Sequence, residues 1–405
     1  MAEDTDELPP DLIQAVRQAL GYTEGARWAR AGQAWSELVD LALDHEHLDL
    51  AREAANRAVD ALRRDDRPSA TLQVLRRAIA LADDEDAQIL QQIQLAACLL
   101  DAGHLDLSEQ VGREVLSATA PGPLRALAAD TLAGALLARG DLVGFRGVLA
   151  QLREDASGIG VVSADFRGAQ LDRLDGRLEA AAQGFAACIE ALEQHPGAAG
   201  ARASACAELG ELALLQGDPD LAMGFFDRAS EEWAQSGRRA GLFQIEGGRA
   251  LAALASGATT FLPGLLDGPV AYAEERGLPL LEARLRMARG LCRYAAGSAA
   301  ADADLQAAIL LADTARAPYM AGRVRYERHR WGLSEDLDEL RQACDQLSGN
   351  QPWFSKATLA LARALRHTDP PEALRLAGAV LCRFTAMGLH AERDIAKALV
   401  DELVR

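Results

Sequence analysis

Apolar residues recur every three or four positions along nearly the whole chain, which is the period of an α-helix. No segment shows the strict alternation of apolar and polar residues that indicates a half-buried strand. Short stretches containing Gly, Pro, Asp or Asn separate the helical segments, as expected for turns. The pattern therefore predicts an all-α fold.

The helices form a repeat, and its clearest unit is "CAELGELALLQGDPDLAMGFFDRAS", residues 206 to 230. Gly217 turns the chain between two helices, Gly210 lets the helices approach closely, and Phe226 fills the space beside them. Further turn glycines give separations of 37, 36, 41, 40 and 40 residues in the series Gly103, Gly140, Gly176, Gly217, Gly257 and Gly297. A period of this length is typical of an α-solenoid.

This unit resembles the tetratricopeptide repeat, whose signature is W-x2-L-G-x2-Y followed by A-x3-F. The matching positions are Cys206, Leu209, Gly210 and Ala213, then Ala222 and Phe226. The resemblance implies a right-handed superhelical solenoid of about nine or ten antiparallel helix pairs with a period of about 36 to 41 residues. It also implies that the first helix of each pair lines a concave groove that binds a peptide or a partner helix.

We expect residues 1–405 to form one continuous solenoid. Its parts are an acidic N-terminal segment with the first helix at 1–22, the repeat array at 24–345, and a C-terminal repeat with a capping helix at 352–405. The segment "EDASGIGVVSAD", residues 154 to 165, is rich in Gly and Ser and is a candidate linker. It is too short to demand separate domains.

The chain of 405 residues has a formal net charge of -18, and the negative excess lies in its first part. Residues 1 to 250 hold 23 basic and 41 acidic side chains, whereas residues 251 to 405 hold 19 of each. Such a field repels nucleic acid phosphates, so we expect no nucleic acid partner. Arginine supplies all but two of the 42 basic residues, which is typical of a GC-rich bacterial genome.

No run of about 18 uncharged apolar residues is present, and the N-terminus lacks the pattern of a secretion signal. We therefore expect a cytoplasmic protein without a membrane partner.

The sequence contains no nucleotide-binding glycine fingerprint, nucleophile elbow or zinc-protease motif. His45 and His47 share a turn with two acids, and we interpret this turn as solvated. The six cysteines lie in apolar helical patterns and are expected to be buried free thiols. We predict no enzyme, no metal site and no cofactor.

Two stripes of arginine and tyrosine stand out in the second part of the chain. One, with spacings of 4, 3 and 4 residues, consists of Tyr319, Arg323, Tyr326 and Arg330. The other, one repeat earlier with spacings of 3 and 4, consists of Arg286, Arg289 and Arg293. Residues 280 to 331 hold nine arginines against five acids. Guanidinium groups beside tyrosines suit carboxylate recognition, so we predict that these seven residues bind a protein or peptide partner with an acidic segment.

Two alternatives remain for the stripes. In the first, the arginines pair with acids on adjacent helices, such as Glu282, Asp313 or Glu327, and the tyrosines pack between repeats. In the second, the acidic first ten residues fold back onto the patch. The sequence leaves the oligomeric state open.

For function, the sequence favours a non-enzymatic scaffold or adaptor that binds a partner segment in the concave groove. The alternative is a regulatory sensor module that binds a ligand or inhibits a separate effector protein in bacterial signalling. An enzyme built on a helical toroid would need inward-pointing acids or histidines, and none is evident at a defined spacing.

Overall fold

The computed structural model describes residues 8–236, 238–258 and 262–405 of the chain. Helices and turns make up these ranges, which contain no strand, so the predicted all-α fold is confirmed. In chain order the helices are α1 (Pro10–Glu24), α2 (Trp28–Asp44), α3 (Leu48–Arg64), α4 (Pro68–Leu81), α5 (Glu85–Asp101), α6 (Leu105–Ala118), α7 (Pro123–Ala138), α8 (Leu142–Asp155), α9 (Ile159–Leu174), α10 (Leu178–Leu192), α11 (Ala199–Gln216), α12 (Pro219–Ser236), α13 (Arg239–Ala255), α14 (Leu262–Leu265), α15 (Asp267–Arg276), α16 (Pro279–Ala295), α17 (Ala301–Thr314), α18 (Pro318–Arg330), α19 (Leu337–Leu347), α20 (Gln351–Leu365), α21 (Pro370–Met387) and α22 (His390–Val404).

Most of these helices form antiparallel pairs stacked into a solenoid. The pairs are α2 with α3, α5 with α6, α7 with α8, α9 with α10, α11 with α12, α13 with α15, α16 with α17, α18 with α19, and α20 with α21. Helix α4 lies between the first two pairs, and α22 packs on α21 as the last element. The stacking leaves each pair in contact chiefly with its neighbours, as in other repeat proteins.

The six predicted turn glycines all adopt the left-handed backbone conformation, with φ between 72° and 87°. Only glycine enters this region without a steric penalty, which explains the spacing of these residues along the chain. The turn prediction is thus confirmed. Four other residues, namely Ala26, Glu46, Asp66 and Arg316, also have positive φ although they carry side chains.

The small residues of the repeat fix which face of each first helix packs on its partner. A Cβ atom added at Gly210 would lie 2.6 Å from the buried ring of Phe226. Equivalent additions at Gly290 and Gly322 would lie 2.9 Å from leucine side chains of α17 and α19. These three glycines therefore mark the packing face of α11, α16 and α18, and they set the register of the repeat.

Residues far apart in sequence also meet, because successive turns of the superhelix lie against each other. Asp66, which is buried, accepts hydrogen bonds from Arg238 Nη2 at 3.2 Å and from the Tyr272 hydroxyl at 3.1 Å. Farther along, Arg316 pairs with Asp106. Partners in these contacts are 172 to 210 residues apart, so parts of the second half of the array contact the first half.

Two details of the sequence interpretation are corrected by the structure. Residues 159 to 165 belong to α9 rather than to a linker; Gly158 is the N-cap residue, and Gly160 is tolerated within the first turn. Cys382 is exposed on the outer face of α21, whereas the other five cysteines are buried. Within the described residues, no helix combines the length and apolar character needed to cross a bilayer.

Candidate functional site

The first helices of successive pairs surround an inner channel with a volume of about 470 Å³. Residues of α5, α7, α9, α11, α13, α16, α18 and α20 line it. Its wall combines leucine and tryptophan side chains with glutamine, asparagine and several charged groups. The channel is therefore a mixed apolar and polar cavity on the concave side of the superhelix.

A carboxylate surrounded by arginines lies beside the centre of this channel. Arg323 Nη1 on α18 donates a hydrogen bond to Glu211 Oε2 on α11 at 3.1 Å. Burial works to raise the pKa of Glu211, but the guanidinium groups of Arg323, Arg284 and Arg173 outweigh it and hold the pKa below its usual value. Glu211 is therefore ionised at neutral pH.

Arg284 differs from its neighbours because it lacks a matching carboxylate. Arg173 pairs with Glu208 at 3.1 Å, and Arg323 pairs with Glu211. Arg284 is half-buried in the channel wall and makes no hydrogen bond or ion pair with any residue that the structure describes. Asp101 and Arg238 also line the channel and pair with each other at 3.7 Å. Arg284 therefore stabilises the Glu211 charge only at longer range, and its guanidinium keeps its hydrogen-bonding capacity for a ligand.

Two of the predicted binding residues, Tyr319 and Arg323, line the channel. The guanidinium carbon of Arg323 lies 4.4 Å from the centroid of the Trp353 ring, and its Nε is buried without a hydrogen-bond partner. The Tyr319 hydroxyl is also buried without a partner, and burial raises the pKa of Tyr319 to about 12. Both donor atoms are enclosed by the protein, and the Tyr319 hydroxyl lies against Gly349.

The stripe on α16 has a different position, away from the channel. Arg289 is buried and donates to both carboxylate oxygens of Asp304, at 2.9 and 2.6 Å, and to Asp267 at 2.9 Å. Arg293 contacts the same two acids, at 2.8 and 2.9 Å. Arg286 donates to Glu282 at 2.6 Å. These three arginines hold α15, α16 and α17 together in a network of ion pairs.

The repeat register explains this placement. Turn glycines Gly217 and Gly297 are 80 residues apart, so Gly210 of the clearest unit corresponds to Gly290. By the same offset, the positions of Cys206, Leu209 and Ala213 correspond to Arg286, Arg289 and Arg293. The arginines therefore occupy the positions at which a tetratricopeptide repeat packs its first helix against the second.

The remaining two predicted residues lie beyond the channel. Tyr326 is buried and meets Trp353 edge to face, with ring centroids 5.9 Å apart. Arg330 is exposed and pairs with Glu327 at 3.2 Å. Both line a second cavity of about 540 Å³ between α18, α20 and α22, which we call the basic cleft.

Of the acids named in the first alternative, Asp313 pairs with an arginine of the adjacent helix, Arg325. Glu282 and Glu327 pair instead with Arg286 and Arg330 of their own helices. The second alternative concerned the first ten residues, of which 1–7 lie outside the described residues. Sequence reasoning missed Arg284, Glu211 and Trp353. The position of Arg284 relative to the packing-face glycine Gly290 would have drawn attention to it, because Arg284 lies off the packing face of α16.

Comparisons with known proteins concern the fold. No protein-family model matches the chain, and no curated protein has a significantly similar sequence. A Rap protein complexed with Competence and Sporulation Factor is 11% identical, with a TM-score of 0.50 over 78% of this chain and 98% of the other. The Rap conjugation gene regulator of a plasmid, in complex with the Phr* peptide, is 11% identical, with a TM-score of 0.44 over 94% and 96%. Aspartyl phosphate phosphatase F from Bacillus subtilis is 11% identical, with a TM-score of 0.37 over 80% and 95%. The tetratricopeptide-like helical-repeat fold expected from the sequence is confirmed.

Proposed function

We propose that this chain is a non-enzymatic binding module that holds an extended peptide with an acidic group in its inner channel. The guanidinium of Arg284 carries the proposal, because a half-buried positive charge without an ion pair among the described residues favours an anionic ligand. A ligand carboxylate would give Arg284 the ion pair that Arg173 and Arg323 already have. We assign the ligand carboxylate to Arg284, with the guanidinium of Arg323 as a further donor.

The rest of the channel suits a peptide chain. Its volume of about 470 Å³ falls within the range of ligand pockets, about 300–1,000 Å³. Trp353 and Tyr319 offer ring surfaces for side chains, and Gln170, Gln244 and Asn350 offer amide groups for peptide bonds. The Rap protein of similar fold was solved in complex with Competence and Sporulation Factor, which is consistent with ligand binding by such an array. The proposal keeps the cytoplasmic, bacterial setting predicted from the sequence.

A regulatory sensor is the second candidate, and the bridge between Arg323 and Glu211 favours it. These residues are 112 positions apart and join α18 to α11 across the channel. A ligand carboxylate that drew Arg323 away from Glu211 would loosen this link between two parts of the superhelix. Ligand binding would then change the shape presented to a separate effector protein.

The proposal can be tested with a randomised library of seven-residue peptides incubated with the purified full chain. We expect the retained peptides to be enriched in Asp, Glu or a free C-terminus, and the enrichment to weaken as salt increases. Arg284→Gln should remove the enrichment. Arg341→Gln is the matched control, because Arg341 is exposed on α19 and pairs with Asp338 at 2.8 Å.

Two results would refute the channel assignment. One is a library without acidic enrichment, and the other is equal enrichment with wild type and Arg284→Gln. A DNA duplex added in place of the library should remain unbound, because the chain as a whole is strongly acidic. Specific retention of the duplex would contradict the choice of a protein ligand.

A further inference from the structure

The basic cleft is separated from the channel by the pair of Tyr326 and Trp353. Trp353 faces the channel and Tyr326 faces the cleft, so a ligand in one cavity leaves the other open. Four cationic side chains line the cleft, and these are Arg330, Lys356, Arg363 and Arg366. Among the described residues, Glu392 is the single carboxylate in its lining. This concentration of positive charge occurs in a chain with a net charge of -18.

Two of the four cations are neutralised by neighbouring acids. Lys356 Nζ pairs with Glu392 and also donates to the backbone carbonyl of Leu215 at 3.1 Å. Arg330 pairs with Glu327, as described above.

The other two cations, Arg363 and Arg366, are exposed and have no acidic partner among the residues placed by the structure. They are three residues apart, so both side chains project from the last turns of α20 on the same side. The cleft therefore carries two positive charges that the protein itself leaves unmatched.

Two histidines add polar atoms to the same wall. Arg366 Nε donates to His367 Nε2 at 2.9 Å, which makes that nitrogen an acceptor and leaves the ring proton on Nδ1. His329 Nδ1 is buried without a hydrogen-bond partner. Burial lowers the pKa of His329, so its ring is neutral at pH 7.

We propose that the basic cleft binds a phosphoryl dianion through Arg363 and Arg366, with His367 as a hydrogen-bonding neighbour in the same wall. Two unmatched guanidinium groups equal the charge of a phosphoryl group, which carries about -1.5 to -2 at neutral pH. A carboxylate would match only one of them. The planar donor forks of two arginines also suit the several oxygens of a phosphoryl group.

Titration calorimetry of the full chain with inorganic phosphate, at pH 7.5 and constant ionic strength in chloride, tests the proposal. We expect saturable binding to the wild type and at least about tenfold weaker binding to Arg363→Gln/Arg366→Gln. The control Arg341→Gln/Arg375→Gln removes the same charge from exposed sites on α19 and α21, and should bind within about twofold of wild type. Circular dichroism confirms that each variant is folded.

Absence of phosphate binding by the wild type would overturn the proposal, and so would equal weakening in the control variant. The channel variant Arg284→Gln should bind phosphate like wild type, which separates this site from the proposed peptide channel. A second titration compares a short phosphoserine peptide with its serine counterpart. Tighter binding of the phosphopeptide than of inorganic phosphate would identify a phosphorylated partner as the source. Binding no tighter than that of inorganic phosphate would identify a free phosphate or a small phosphate ester.

Discussion

Two arginines on helix α16 test which arginines of this protein bind a ligand and which stabilise the fold. Arg284 lines the channel without an ion pair to any described residue, whereas Arg289, five residues later on the same helix, lies inside an ion-pair network. We predict that Arg284→Gln weakens binding of an acidic peptide and lowers the stability only slightly. Arg289→Gln should lower the stability and leave peptide binding by the folded protein unchanged.

The expected size of the stability loss follows from the contacts of Arg289. It donates three hydrogen bonds to carboxylates, and both it and Asp304 are buried. Breaking a buried ion pair costs about 3–5 kcal/mol. Arg293 still donates to Asp304 at 2.8 Å, so we expect the lower end of that range, about 3 kcal/mol. For Arg284→Gln we expect a smaller loss, of at most about 1 kcal/mol, because Arg323 and Arg173 still stabilise the charge of Glu211.

Urea unfolding followed by circular dichroism measures the free energy of unfolding, and fluorescence anisotropy with a labelled acidic peptide selected from the library measures affinity. We expect Arg284→Gln to reduce affinity by at least about tenfold. If Arg284→Gln unfolded as easily as Arg289→Gln, Arg284 would have a structural role that the contacts do not show. If Arg289→Gln lost affinity with its folded state intact, the placement of its stripe away from the ligand would be refuted.

Four further outcomes are expected. Glu211→Gln should free Arg323 from its ion pair and tighten binding of the acidic peptide by about tenfold in the anisotropy assay. Weaker binding would refute the idea that Glu211 and the peptide carboxylate compete for Arg323. Because the pKa of Glu211 is lowered on folding, its contribution to stability is present above pH 4.5 and is lost as the pH falls through its folded-state pKa. In urea unfolding over that pH range, the free energy of unfolding should therefore fall less for Glu211→Gln than for the wild type. Ala26→Gly, at a residue with φ of 50°, should raise the free energy of unfolding by about 1 kcal/mol, while an unchanged or lower value would show that its backbone is unstrained. A thiol reagent at pH 8 should modify Cys382 first, because Cys382 is exposed and the other cysteines are buried. Burial raises the pKa of Cys98 to about 12 and the pKa values of Cys188, Cys292 and Cys344 to about 11. Rapid modification of more than one thiol would contradict this packing.

Much of the fold could be predicted from the sequence because its determinants are local. Gly217 and the other turn glycines are required by a backbone conformation that other residues adopt only with strain. Gly210 is required by the ring of Phe226, which lies 16 positions later in the same unit. Such signals repeat with the period of the solenoid, so they are visible without knowledge of distant contacts.

The candidate site was only partly predictable for the opposite reason. Tyr319 and Arg323 line the channel as expected, but Glu211, the acid that Arg323 meets, comes from a helix 112 residues earlier. Trp353 reaches the same point from the next first helix. Spacing along one helix cannot show which residues of other helices meet its charged face.

The stripe on α16 was misleading because helical spacing identifies a face but does not say where the face points. Spacings of 3 and 4 residues fit a packing face as well as a groove face. The distinction needed the register set by Gly290, which places Arg289 at a packing position. A single polar segment is therefore best interpreted after the packing glycines of its own repeat have been located.

Charge balance within each cluster then separates structural arginines from binding ones. The α16 network has no excess of positive charge, since three arginines meet four acids, namely Arg286, Arg289 and Arg293 with Glu274, Glu282, Asp267 and Asp304. In the channel Arg284 makes no ion pair, and in the basic cleft two cations have no counterpart among the described residues. A buried network whose arginines are all paired with acids has no electrostatic reason to attract another anion, whereas an unpaired guanidinium in a cavity does. The arginines of this chain thus indicate ligands only where they line a cavity without an acidic partner.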